Sequence, residues 1–188
     1  MRLSRIAFAG ALFLAAMTGG ASAQSGADRL TIELKDGPVV IELRPDVAPK
    51  HVERIKALAA AGEYDNVAFH RVIEGFMAQT GDVQYGDMED GFQPQAAGTG
   101  GSSQPDLPAE FSDVPFERGT VGMARSQDPN SANSQFFICF TDSPWLNKQY
   151  SVWGQVVEGM DNIDRIKKGE PVKDPDSIVT MRVAADVA

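Results

Sequence analysis

The chain has 188 residues, with 26 acidic against 17 basic side chains and a formal net charge of −9. That length suits one domain with its own hydrophobic core, and so acidic a surface repels nucleic acid and anionic lipid, so neither is an expected partner. The single cysteine, Cys139 in FFICF, cannot form an internal disulfide, and its apolar neighbours mark it as a buried core thiol.

The first residues read as an export signal. Arg2 and Arg5 form a basic start, IAFAGALFLAAM (6–17) an apolar core, and Ala21-Ser22-Ala23 a small-x-small cleavage pattern. The pattern predicts removal of residues 1–23 and a mature, periplasmic domain over 24–188. The apolar run is shorter than the ~20 residues of a spanning helix, so no stable membrane anchor is expected. No cysteine follows it to carry a lipid.

RLTIELK (29–35) and PVVIELR (38–44) alternate apolar and polar residues around Asp36-Gly37, a hairpin signal. From Asp46 to Glu63, Val47, Val52, Ile55, Leu58 and Ala59 recur at helical spacing, with Pro49 in the first turn and Gly62 as the stop. Strand character returns over 66–73 and 76–81, broken at Glu74-Gly75. Residues 84–115, rich in Gly, Pro, Ser, Asp and Gln, predict a long irregular loop, and such loops in compact domains are usually functional or disordered. GTVGMAR (119–125), SQFFICF (134–140), SVWGQVVEG (151–159) and SIVTMRVAAD (177–186) predict further strands, and MDNIDRIKK (160–168) a short helix. Short strands in this number, with two helices and no repeat, predict an all-β-dominated barrel or sandwich.

Several chemistries lack their residues. GTGGSS (98–103) has no Gly-Lys-Ser/Thr ending for phosphate, and GDMEDG (86–91) misses the alternating ligands of a calcium loop. His51, expected on the surface of the first helix, and His70, expected in a strand, have no cysteine partners for zinc. No serine is tied by motif to a histidine and an acid. No metal and no cofactor are expected. What stands out is FHRVIEGFMAQTGD (69–82), where Arg71 lies among Phe69, Val72, Ile73, Phe76 and Met77 with Gln79 as the nearby polar side chain. Large apolar residues also gather near loop ends at Phe136, Phe137, Trp145, Leu146 and Tyr150, as in pockets and interfaces.

FHRVIEGFMAQTGD, GTGG, GMARSQDPNSANSQFFICF and PWLNKQYSVWGQVVEGMD, in that order, resemble the cyclophilins, the cyclosporin-binding class of peptidyl-prolyl cis-trans isomerases. The resemblance runs from about Leu30 to Val183. It implies a closed eight-stranded antiparallel β-barrel capped by two α-helices. It also implies an enzyme, a monomer acting on proline-containing segments of unfolded or folding proteins, and cyclosporin binding. Carried over position by position, Arg71 matches the catalytic arginine and Gln79 the side chain that braces it. Phe76, Met77, Phe137 and Leu146 match the walls of the proline pocket, and Phe76 counts with Arg71 and Gln79 among the catalytic positions. Ala124 and Gln135 match further groove positions, Gly98 the glycine flanking a neighbouring specificity pocket, and Trp145 the tryptophan associated with cyclosporin. The sequence departs from the well-known eukaryotic members at Tyr150, where they have histidine, and at Arg125, where they have asparagine. Its loop between Ala124 and Gln135 is one residue longer. A competing expectation on the same barrel is a peptide-binding chaperone or assembly module, in which isomerisation is incidental.

Overall fold

The computed structural model describes residues 29–184, so the expected leader and its cleavage point lie outside the described residues. β1 (Arg29–Leu34) and β2 (Gly37–Leu43) form the expected hairpin, with Leu34 opposite Gly37 and the turn at Lys35-Asp36, one residue earlier than the Asp-Gly signal suggested. The apolar members of both strands point inward, leaving Leu30, Ile32, Val39 and Ile41 fully buried. α1 (Pro49–Ala61) starts on its proline and stops at Gly62, whose φ of 77° gives the left-handed cap that glycine adopts without a Cβ penalty.

The remaining strands are β3 (Arg71–Ile73), β4 (Met77–Thr80), β5 (Thr120–Met123), β6 (Phe136–Cys139), β7 (Val152–Glu158) and β8 (Thr180–Val183). All eight join one sheet in the order β3-β4-β6-β5-β7-β2-β1-β8, and its paired strands run antiparallel. α1 packs against β7 and β8; α2 (Met160–Asp164) packs against β2. The second helix is shorter than its expected span, 160–168, though Ile163 and Ile166 both remain in the core.

The expected closed barrel takes a more open form, an eight-stranded antiparallel half-barrel with two helices. β3 and β8 are its edges, and no ladder joins them. The expected strand over 66–73 is regular only from Arg71. Before it, Ala68 and Ser177 form an isolated bridge, Phe69 donates its N–H to Asp176 at 2.8 Å, and Ile178 donates to Val67 at 2.9 Å. These contacts link the segments that precede the two edge strands.

Strand alternation sorts the apolar residues into two clusters on opposite faces of β3, β4 and β6. Val72, Ala78, Phe136 and Ile138 turn into the main core, where Phe136 meets Trp153 and Tyr64 edge-on at 5.3 Å and 5.7 Å. Met77, Phe137 and Cys139 turn the other way, into a smaller cluster with Phe116, Leu146 and Val152. Cys139 is buried there, and burial pushes its thiol up to about 12, so it stays protonated and unreactive at neutral pH.

Two histidine expectations are corrected. His51 is fully buried rather than on the surface of α1, because Glu110 from the long loop covers the helix start. The Glu110 carboxylate accepts the N–H groups of Lys50 and His51 at 3.1 Å and 3.2 Å and lies 2.7 Å from His51 Nδ1. It supplies the N-terminal cap that Ala48, at the cap position, lacks. His70 lies just before β3 rather than within a strand, and is also buried.

Candidate active site

The second apolar cluster is the floor of a surface cleft of about 350 Å³ lined by Arg71, Phe76, Met77, Gln79, Ala124, Arg125, Phe137, Trp145, Leu146 and Tyr150. A second cleft of about 390 Å³ shares Gln79, Ala124 and Arg125 with it and adds Gly98, Thr99, Gly100, Ser126, Ser131, Asn133 and Gln135. Every site residue expected from the sequence lines one of these two clefts.

Strand register explains how residues so far apart converge. Arg71 lies directly opposite Gln79 in the β3–β4 ladder, and Gln79 opposite Phe137 in the β4–β6 ladder. Cross-strand partners share a face, so the arginine, the glutamine and the floor of the apolar cleft form one row. Gly122, opposite Phe137 on β5, leaves room for the stack beneath. A Cβ on Gly122 would come within 2.6 Å of both Phe116 and Phe137, whose rings lie 5.7 Å apart. The turn at Pro144–Leu146 then sets Leu146 into the cleft and leaves Trp145 62 % exposed, its ring 5.7 Å from Phe76. Asn147 holds this turn by accepting the Phe116 N–H at 2.8 Å.

Arg71 is held from two sides. Its Nη1 faces Gln79 Oε1 at 3.4 Å, the longer contact, and Gln79 Nε2 donates to Gln135 Oε1 at 3.0 Å. Gln135 in turn donates to the Gly100 carbonyl at 2.8 Å, which fixes the orientation of both amides. The shorter contact is Arg71 Nε to Glu170 Oε1 at 2.5 Å. Glu170 is a site residue that the sequence did not reveal, because it lies 99 positions away in a loop without a motif. Among the described residues, Nη2 has no hydrogen-bond partner.

At the other end, the Arg125 guanidinium lies 4.4 Å from the Tyr150 ring centroid, and Tyr150 meets Phe137 edge-on at 5.6 Å. Arg125 also donates to the carbonyls of Gln149 and Ser126, each at 2.8 Å. The two departures noted in the sequence therefore form one unit, a cation stacked on an aromatic wall.

The glycine-rich lip of the second cleft is built on Asp82, which is fully buried. Its carboxylate accepts the N–H groups of Gln84 and Tyr85 through one oxygen and those of Gly98 and Gly100 through the other, at 2.7–3.1 Å. Gly98 has a φ of 98°, and a Cβ there would lie 3.0 Å from the His70 ring. Among the described residues, no three His, Cys, Asp or Glu side chains gather as a metal site, and no helix is long and apolar enough to cross a membrane. The cleft offers a fixed donor beside an apolar recess.

Residues 29–184 match the family described as cyclophilin type peptidyl-prolyl cis-trans isomerase/CLD. The chain belongs to this family. A probable peptidyl-prolyl cis-trans isomerase of Brucella suis is 58 % identical to this cyclophilin, over 99 % of each chain. An Arabidopsis thaliana peptidyl-prolyl cis-trans isomerase is 34 % identical, covering 76 % of this chain and 62 % of its own. Among solved structures, a Hirschia baltica cyclophilin superposes with a TM-score of 0.74 at 28 % identity, covering 87 % of this chain and 76 % of that one. A Cryptosporidium parvum cyclophilin type isomerase crystallised in the presence of the dipeptide Ala-Pro superposes at 0.71 with 27 % identity, covering 84 % and 99 %. The protein is a cyclophilin-type peptidyl-prolyl cis-trans isomerase.

Proposed function

We propose that this enzyme accelerates rotation about X–Pro bonds in exported, folding proteins without any covalent step, and that Arg71 is its catalytic group. Resonance opposes amide rotation by ~18–20 kcal/mol, and X–Pro isomers exchange only over tens to hundreds of seconds. In the twisted amide the prolyl nitrogen regains a lone pair, so a donor aimed at it favours that state over both planar isomers. A turnover on the order of 10³ s⁻¹ corresponds to a barrier of roughly 13 kcal/mol, which leaves the site about 5–7 to supply. One preorganised donor contributes about 2.7–4 of this, and a pocket that holds the ring and excludes water contributes more.

The observation that carries this reading is the arrangement of Arg71 on the wall of the apolar cleft. Its Nε is paired with Glu170 and its Nη1 faces Gln79, so Nη2 remains to donate. Phe76, Met77, Phe137 and Leu146 supply the proline recess, with Phe137 and Met77 5 % and 2 % exposed at its floor. The second cleft, past Ala124 and Gln135 to Gly98, takes residues before the proline. Trp145, exposed at the rim, supports cyclosporin binding. The bridges between the chain before β3 and the chain before β8 support reading the sheet as a barrel closed by single bridges rather than a ladder.

Exchange NMR on a tetrapeptide with one X–Pro bond tests the activity. Exchange should be fast at substoichiometric enzyme. A protein that binds the peptide yet leaves the exchange rate unchanged would instead favour a peptide-binding chaperone or assembly module.

A further inference from the structure

The long loop contributes more than the glycine lip. Beside Arg71 lies a third cleft of about 280 Å³, which keeps Arg71 and Gln79 as walls, shares Gly98 and Thr99 with the glycine lip, and adds His70, Glu170 and Pro171. His70 and Pro171 are in turn walls of a further pocket of about 410 Å³. That pocket is formed where Met88, Phe92 and Pro94 of the long loop face Pro171, Val172 and Pro175 of the segment before β8. Met88 is 37 % exposed, among the few large apolar side chains so open to water.

We propose that this pocket is a second peptide subsite, which holds an apolar side chain of the same substrate whose proline lies against Phe137. The inference rests on the isomerase reading above. Three features support it. The pocket is linked to the proline cleft through shared walls, Arg71 and Gln79 on one side of the third cleft and His70, Ala97 and Pro171 on the other, so a chain leaving the recess past Arg71 crosses a shallow cleft to reach it. The crossing is polar, at the Arg71–Glu170 pair and Gln79, and such groups can satisfy the amides of a passing backbone. The pocket itself is apolar, with Lys173 and Asp174 as a polar rim.

It is also preformed. The loop that carries Met88 and Phe92 is anchored at both ends by the Asp82 carboxylate, and Gln93 donates its N–H to the Tyr85 carbonyl at 3.0 Å between them. Three prolines stiffen the walls. Binding there avoids much of the ordering cost that a floppy loop would carry. The consequence is a preference for extended, unfolded segments that place an apolar residue at a set distance from proline. A tetrapeptide is too short to show it.

The test is a leucine scan. Longer peptides with one X–Pro bond carry leucine or alanine at each position on either side, with affinity read by titration calorimetry and turnover by exchange NMR. At one position leucine should tighten binding by about tenfold over alanine, the value expected for burying most of such a side chain. Met88→Lys and, separately, Phe92→Ser should abolish that gain while leaving tetrapeptide turnover and the melting temperature unchanged. A flat scan, or a gain that survives both substitutions, would overturn the proposal. So would a concentration-dependent dimer that Met88→Lys dissociates, which would assign the pocket to a second copy of the chain. A wild-type protein that shows the leucine preference but no turnover would contradict the isomerase reading and leave the subsite standing.

Discussion

Glu170 makes the shortest polar contact to Arg71, 2.5 Å between Nε and a carboxylate oxygen across 99 residues of sequence. Both side chains are substantially exposed, so the pair adds little to stability. Its effect is on orientation. An arginine side chain has considerable rotamer freedom, and fixing Nε limits the directions in which the outer nitrogens can point.

Glu170→Ala should therefore lower kcat by roughly 3–10-fold, with the melting temperature unchanged, because the donor is less well placed in the twisted state. KM should change little, since the proline recess is intact. Glu170→Gln, which can still accept from Nε, should recover part of the loss. A kcat within experimental error of wild type in Glu170→Ala would show that Gln79 alone orients the guanidinium.

The proposed cyclosporin binding rests on Trp145 at the rim, over Phe76. Trp145→Phe removes an N–H donor and apolar area, and should weaken inhibition by about tenfold while keeping much of the isomerase rate. Arg125 stacked on Tyr150 adds bulk and charge to the groove's edge, so inhibition of the wild type should be weaker than in members with asparagine and histidine there. Tyr150→His should tighten it. Equal inhibition of wild type and Trp145→Phe would remove Trp145 from the drug site.

The two buried histidines predict a pH dependence of stability. Burial lowers both His51 and His70 from 6.5, against the opposing pull of Glu110 on His51 and of Asp82 on His70. The unfolded chain then binds protons more readily than the folded one. The stabilisation is full above the unfolded value, falls as pH drops below it, and levels off once the folded values are passed. Melting temperature should decline from about pH 7.5 to pH 5.5, a window above the range where carboxylates protonate. His51→Gln, which keeps a donor for Glu110 but cannot titrate, should flatten part of that decline. An unchanged slope would assign the effect elsewhere.

Export makes a separate prediction. Mass spectrometry of protein from the periplasmic fraction should find Gln24 as its first residue. Membrane-bound protein that retains residues 1–23 would contradict it.

Much of this was legible in the sequence because the signals are local. The β1–β2 alternation, and Pro49 and Gly62 around α1, act over a few residues and appear where expected. The eight-residue spacing of Arg71 and Gln79 already held the hairpin that pairs them. Other features depend on contacts between distant segments. Nothing near His51 in sequence announces that Glu110 will bury it, and nothing near Glu170 points to Arg71. The long loop read as irregular because its order comes from one carboxylate, Asp82, collecting four backbone N–H groups rather than from any period. Barrel closure was overstated for a similar reason. Edge pairing is a long-range property, and here one isolated bridge, Ala68 to Ser177, links the segments before the edge strands without pairing β3 to β8.

The central claim is that one oriented guanidinium supplies the chemistry. Exchange NMR on a single X–Pro peptide, comparing wild type with Arg71→Ala and Arg71→Lys, tests it most directly. With unaltered folding, Arg71→Ala should lose about 10²-fold or more in rate, the size expected for removing one preorganised donor. Arg71→Lys should recover only a minor part, because an ammonium lacks the planar fork that Glu170 and Gln79 hold. A correctly folded Arg71→Ala protein that isomerises at the wild-type rate would contradict the account.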